Sequence, residues 1–299
     1  MKPTTRGDYL DRIRRVLRFV QERLDDDLSP AVLADVAHFS TYHFHHIFRG
    51  LVGESVAEHV RRIRLERAAG ALRRTDARIL DIALSAGYDA HEPFTRAFRA
   101  RFGMPPSAWR TQPEPLTFPH VLCGVHFGPD AAVSRFVPIT EDSKMIEVSI
   151  QTHPERHLLA LPHEGDYNEI GPKFERLLDR ARSLGLLEPD SITIGIYYHD
   201  PDTTAVGERR SHACVRVPEK FDQVPDGFEM VDLPEGDVAV GVHRGPYAEL
   251  HKSYRWLFGE WLPSSGREPA ERPPYETYVD DPRTTAPEEL RTLICIPLK

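Results

Sequence analysis

The chain has 299 residues, 40% of them hydrophobic and 28% charged, an ordinary balance for a globular protein of two domains. No apolar run approaches the ~18 residues of a membrane span, and the opening MKPTTRGDYLDRIRR lacks the apolar core of a signal peptide. Cys123, Cys214 and Cys295 are isolated and form no CxxC pair, which argues against a disulfide framework or Cys-based zinc and for a reduced, cytoplasmic compartment.

The net charge of −8 is unevenly spread. Residues 1–111 hold 19 Lys/Arg against 14 Asp/Glu, whereas residues 112–299 hold 19 against 32. The basic half is suited to phosphate and the acidic half is repelled by it. Chance variation in surface charge is the plainer explanation, and it loses weight because the basic half also carries the repeats described next.

Residues 8–25 read as a helix with Tyr9, Ile13, Val16, Leu17 and Val20 as its buried stripe. Asp25-Asp26-Asp27 is a solvated charge run at its end. Ser29-Pro30 is an N-cap followed by Pro at the first helical position, so a second helix starts there. Ser40 caps a third, with Phe44, Ile47, Phe48 and Leu51 inward and Tyr42, His45 and His46 on the opposite face. The run His43-Phe44-His45-His46 invites a metal, but no Cys or carboxylate completes a ligand set; neither a metal nor a cofactor is expected.

Val56 to Arg74 reads as a long helix, with Ile63, Ala68, Ala71 and Leu72 as core and Arg61, Arg62 and Arg64 on the polar face. At ~1.5 Å per residue it is a strut of ~27 Å. Two further helices follow. Ile79, Ile82 and Ala83 mark the first, and Gly87 suits a turn with φ > 0. In the second, Phe94, Ala97, Phe98 and Phe102 share the buried face, and His91, Glu92, Thr95, Arg96 and Arg99 lie outside. Gly103, Pro105 and Pro106 end it.

These segments repeat. Leu33 to Ala37 matches Ile79 to Ala83 at an offset of 46, and Phe44, Phe48 and Gly53 match Phe94, Phe98 and Gly103 at 50, which puts four extra residues in the second turn region. Two helix-turn-helix units on a linking helix, with Arg64-Leu65-Glu66-Arg67-Ala68 and the ending Gly103-Met104-Pro105-Pro106-Ser107-Ala108-Trp109-Arg110, resemble the DNA-binding domain of AraC/XylS-family transcription regulators over residues 8–110. The resemblance implies double-stranded DNA and RNA polymerase as partners. It makes Tyr42, His45, His46, His91, Glu92, Thr95 and Arg96 the DNA-binding candidates. His45, His46, Glu92 and Pro93 depart from the long polar or Arg residues common in the family. Recognition helices on such a strut meet successive major-groove faces, which recur at ~34 Å.

Residues 112–144 read as a Pro-rich linker, in which Val121 to Phe127 and Val133 to Ile139 are short strands or packed loop. The acidic half, 145–299, then repeats at an offset of 80: His163, Gly165, Tyr167 and Glu169 match His243, Gly245, Tyr247 and Glu249, and Phe174 matches Tyr254. Each unit reads strand, helix, strand, strand, with a further strand ahead of it. The first has strands at 145–150, 157–161, 192–198 and 212–217 and a helix at 168–184. The second has strands at 228–233, 237–243, 275–279 and 292–297 and a helix at 247–261.

His243-Arg244-Gly245-Pro246-Tyr247, Trp261-Leu262-Pro263 and Tyr275-Glu276-Thr277-Tyr278 with Asp281-Pro282 resemble the GyrI-like, or AraC-type effector-binding, domain. That implies an α+β tandem of two βαββ modules around a cleft for small, often cationic or lipophilic, molecules. Alternation puts Glu276 and Tyr278 on one strand face, opposite Gly195 and Tyr197 of the first unit. A carboxylate among tyrosines can hold a desolvated cation, with cation–π attraction from the rings; a partly exposed strand Glu among ordinary core tyrosines is the plainer alternative. With Tyr247 from the motif, the effector-binding candidates are Glu276, Tyr278, Tyr197 and Tyr247.

The expected fold class is therefore two domains, an N-terminal all-α double helix-turn-helix (1–111) and a C-terminal α+β GyrI-like repeat (145–299). The expected function is a non-enzymatic transcription regulator with a small-molecule effector. The alternatives are a GyrI-like hydrolase of a reactive compound, with Glu276 as general acid/base, and a DNA-binding protein with a vestigial pocket.

Overall fold

The computed structural model describes residues 5–128, 135–140, 145–187, 191–201, 204–221 and 223–299. They divide into two compact units, residues 7–139 and residues 140–299 with the extreme N-terminus.

The first unit is helical: α1 (Arg6–Glu22), α2 (Pro30–Ala37), α3 (Thr41–Val52), α4 (Val56–Arg74), α5 (Ile79–Ser85), α6 (His91–Phe102) and α7 (Pro106–Arg110). Ser55 and Glu58 form a reciprocal capping box that starts α4. Gly53 and Gly103, related by the repeat, both adopt left-handed backbone and end α3 and α6. Around α4, Phe94, Phe98 and Phe102 pack on Leu65, Ala69 and Leu72. Trp109 closes this core and donates its indole N–H to the carbonyl of Ala69 at 3.1 Å.

The turns correct the expected repeat alignment. His38 has φ +54 and Gly87 φ +82, and each stands before a residue whose N–H returns to the helix: Phe39 to Ala34 and Tyr88 to Ala83. The matching offset is thus 49. It pairs Leu33, Ala34 and Ala37 with Ile82, Ala83 and Ala86, all buried. A slip of three residues nearly restores a helical face, so the offset of 46 looked plausible. The second turn is one residue longer than the first, not four.

Parts of the stretch expected as a linker are packed. Cys123, Val125 and Phe136 are buried, and Ile139 N–H donates to the carbonyl of Leu51 at 2.9 Å. No strand forms in its described residues; Val133 and Ser134 lie outside them. Arg62, expected on the polar face of α4, is instead buried. Its guanidinium donates to Glu54, Glu66 and the carbonyl of Val125. Glu66 also accepts from Arg101 and from the N–H of Phe127. The charges around Arg62 and Glu66 therefore tie the Pro-rich stretch to the helices.

The second unit holds β1 (Glu147–His153), β2 (Arg156–Glu164), α8 (Gly171–Ser183), β3 (Thr193–Tyr197), β4 (Arg210–Val217), β5 (Glu229–Leu233), β6 (Gly236–Arg244), α9 (Leu250–Trp256, continued by a π-helical turn), β7 (Tyr275–Tyr278) and β8 (Arg291–Pro297). All eight strands form one antiparallel sheet in the order β1-β6-β8-β7-β3-β4-β2-β5. A pseudo-twofold passes between β3 and β7. Each repeat gives its first strand to the other: β1 pairs with β6 and β5 with β2.

That exchange dictates the sheet's shape. Only Pro154 and Glu155 separate β1 from β2, yet five strands lie between them in the sheet order. Two residues span at most ~10 Å, whereas five intervening strands at ~4.8 Å spacing would set β1 and β2 far apart in a flat sheet. The sheet must curl until its edges approach. Its inner face buries Leu158, Ala160, Ile194, Ile196, Val238 and Tyr275. On the outer face α8 packs against Leu159, Ala213 and Val215.

Candidate functional site

The pseudo-twofold brings β3 and β7 together with Gly195 opposite Glu276. Alternation puts Gly195, Tyr197, Glu276 and Tyr278 on the outer face, as the sequence pattern anticipates. Glu276 is only 6% exposed. Tyr254 on α9 donates to its Oε1 at 3.0 Å, and Tyr278 donates to Oε2 at 2.7 Å. The hydroxyls of Tyr197 and Tyr278 lie 2.6 Å apart. Because Tyr278 gives its proton to Glu276, Tyr197 is the donor between them, and a relay runs Tyr197 to Tyr278 to Glu276.

Aromatic rings enclose this relay. Tyr247 and Phe174 meet Tyr278 edge-on at 5.4 and 5.3 Å. Tyr167 meets Tyr197 edge-on at 4.9 Å. Tyr247 is 37% exposed, the outermost of the four effector candidates. Gly195 supplies the missing side chain that lets the rings meet. A Cβ there would stand 2.9 Å from both the Tyr197 ring and the Tyr278 hydroxyl.

Burial pushes the Glu276 carboxyl up to about 7, against the opposing pull of its hydrogen bonds from Tyr278 and Tyr254. Burial, reinforced by the Glu276 charge, holds Tyr197 and Tyr278 well above the ordinary phenol range. Both remain neutral donors. Among the described residues no Lys, Arg or His pairs with Glu276. An ionised carboxylate in such a place is costly unless a cation joins it.

Sequence reading missed Tyr254, Tyr167 and Phe174. Tyr254 left a usable signal: it occupies the position that Phe174 holds in the first repeat. A tyrosine at a core position calls for a hydrogen-bond partner, and Glu276 is that partner.

On the helical unit, α6 presents His91, Glu92 and Arg96 exposed and Thr95 half-buried. Arg96 has no ion-pair partner among the described residues. The first unit differs. Tyr42 and His46 on α3 are half-buried, with rings 4.9 Å apart. His45, expected on the open face, is 5% exposed. It sits against Phe44 at 5.8 Å. The helical period alone cannot say which side of α3 other parts of the fold cover. Among the described residues no helix is long and apolar enough to cross a membrane.

Residues 146–299 match the family described as a GyrI-like small molecule binding domain, and residues 33–112 match a helix-turn-helix domain. The chain is 41% identical over 103 residues to an uncharacterized HTH-type transcriptional regulator, YbfP, of Bacillus subtilis, covering 34% of this chain and 35% of that one. It is 34% identical over 145 residues to the right origin-binding protein of Escherichia coli, covering 48% and 49% of the two chains. The chain thus spans between a third and a half of the length of these curated relatives. Among solved structures it is similar to the EcmrR C-terminal domain over 52% of this chain and 99% of that one, at 18% identity and a TM-score of 0.42. The chain belongs to the GyrI-like small molecule binding domain family and joins that domain to an N-terminal helix-turn-helix domain of the AraC type.

Proposed function

We propose that this protein is a one-component transcription regulator. Its helical unit binds double-stranded DNA, its GyrI-like domain binds a lipophilic cation, and RNA polymerase is the partner through which binding changes expression. The observation that carries the ligand class is Glu276: a buried carboxylate, ringed by tyrosines, with no cationic partner among the described residues. A cation entering the cleft gains a charge partner and aromatic faces at once. The ligand regulates by binding one conformation or promoter complex better than another.

Phenyltrimethylammonium and its neutral isostere tert-butylbenzene test the cleft by NMR titration. Glu276→Gln keeps the volume and removes the charge. Truncating one partner of a desolvated charge pair costs ~2–5 kcal/mol, so the cation should lose at least about tenfold in affinity while the neutral compound changes little. Equal losses for both compounds, or none, would remove Glu276 from the role of cation partner.

One observation favours a hydrolytic second reading. A carboxyl near pH 7 with a tyrosine relay is poised for proton transfer. Mass spectrometry of an electrophilic lipophilic compound incubated with the protein separates the two: a regulator returns it intact.

A further inference from the structure

The inner face of the curled sheet holds a separate cavity of about 150 Å³, where its two edges approach. Ile196, Val231, Leu233 and Val238 make its apolar wall, and Tyr275 lines it from β7. Glu276, the next residue, faces the opposite side of the same strand. The cleft and the cavity thus lie back to back and share no lining residue.

The polar lining is cationic. Arg156 opens β2 half-buried and has no ion-pair partner among the described residues. Its repeat counterpart at the offset of 80 is Gly236. Arg272 fills that vacancy, with Nη2 3.5 Å from where a Gly236 side chain would begin. Its Nη1 makes one long bond, 3.5 Å, to the carbonyl of Pro234. Both symmetry-related positions at the seam therefore carry a guanidinium. Neither charge is answered by the carboxylate in the lining, Asp232, which accepts from His157 at 2.7 Å. His153 bonds the Tyr275 hydroxyl at 2.8 Å. Burial and the charge of Arg156 hold its imidazole below the usual range, so it is neutral at pH 7.

Two unneutralised forks beside an apolar well describe the complement of an amphipathic anion. An apolar cavity of about 150 Å³ holds a benzene ring, and guanidinium groups bind carboxylates through paired, charge-assisted hydrogen bonds. We propose that this cavity is a second ligand site, distinct from the Glu276 cleft, which takes a small aromatic carboxylate with its ring between Ile196 and Val238 and its carboxylate between Arg156 and Arg272.

Benzoate titrated into the full chain should saturate at one site. Each hydrogen bond to a charged group contributes ~1.5–3 kcal/mol, so Arg156→Met should weaken benzoate by about tenfold or more and Arg156→Met with Arg272→Met further still. Benzyl alcohol, lacking the charge, should distinguish the variants by less than about twofold. In crystals of the wild-type chain, the bromine of 4-bromobenzoate should give its anomalous peak in the cavity. This second measurement needs no variant to fold. Absence of saturation in solution, unchanged benzoate affinity in a folded double variant, or bromine located beside Glu276 would each overturn the proposal.

Discussion

Gly195 and Glu276 face each other across the β3–β7 ladder, at the centre of a sheet whose two halves repeat one plan. The repeat supplies the two positions, and only one carries a side chain. The cleft on the pseudo-axis is therefore chemically asymmetric, with a single carboxylate where strict symmetry would place two like charges that repel. The space left at Gly195 is taken by the paired hydroxyls of Tyr197 and Tyr278.

Stability should depend on pH through Glu276. Its folded value lies near 7, against an ordinary 4.5. The folded state then binds more protons than the unfolded chain between these values, so stability falls as pH rises from about 4.5 to 7 and stays low above. The shift corresponds to a penalty on the order of 3 kcal/mol at pH 8. Glu276→Gln should remove it: the variant should gain on wild type as pH rises from 5 to 8 in thermal melts. Parallel melting curves would contradict the assigned shift.

Cation affinity should run the other way. Phenyltrimethylammonium needs the ionised carboxylate, so its affinity should climb through pH 7 and level off above it. In Glu276→Gln this rise should vanish. A flat profile in wild type would locate the cation elsewhere.

Gly195→Ala should damage the cleft without touching its charge. The added methyl would lie 2.9 Å from the Tyr197 ring and the Tyr278 hydroxyl, and overpacking of this kind costs ~1–3 kcal/mol. The rings must shift and the 2.6 Å hydroxyl pair must open. A lower melting temperature together with weaker cation binding is the expected result; a wild-type melt would mean that the rings yield freely.

Arg96→Ala tests the proposal that the exposed face of α6 meets DNA. A guanidinium that reads a base should cost ~1–3 kcal/mol when removed and relax preference at one position, whereas a phosphate contact should weaken all sequences alike. His45→Ala addresses α3. Because His45 is buried, its loss should appear as lower thermal stability and not as altered base preference. Gel shifts and melts on both variants separate these outcomes.

Much of this was legible in the chain itself. Period-2 alternation placed Glu276 and Tyr278 on one face, and the repeat put Gly195 and Tyr197 opposite them. Capping residues such as Ser40 and Gly103 marked the helix ends because their physics is local. What escaped depends on distant partners. The exchange of β1 and β5 between repeats leaves no local trace, since each strand alternates the same way whichever neighbour it pairs with. Arg62 reads as a surface residue until Glu54 and Glu66 are seen to meet it. The segment 112–144 is Pro-rich and reads as a linker, yet Cys123, Val125 and Phe136 are core.

That segment yields the last prediction. Glu66 is fully buried. It accepts from Arg62 at 3.2 Å, Arg101 at 3.0 Å and the N–H of Phe127 at 2.9 Å. His126 Nδ1 lies 3.1 Å from the same carboxylate. Glu66→Gln retains the shape, but its amide nitrogen must meet donors on one side. Arg62 keeps Glu54, so α4 itself should hold. Arg62, Arg101 and His126 share Oε1 and can keep the amide oxygen, so the group that loses its anchor is the N–H of Phe127, which bonds Oε2. Breaking a buried charge pair costs ~3–5 kcal/mol, and Glu54 should offset part of that. The expected result is a modest fall in melting temperature together with faster amide exchange confined to residues 119–128. Exchange that accelerated uniformly over α4 and α6 would show that Glu66 supports the helical core as a whole, and unchanged exchange at Phe127 would show that apolar packing of Val125 and Phe136 alone secures the segment.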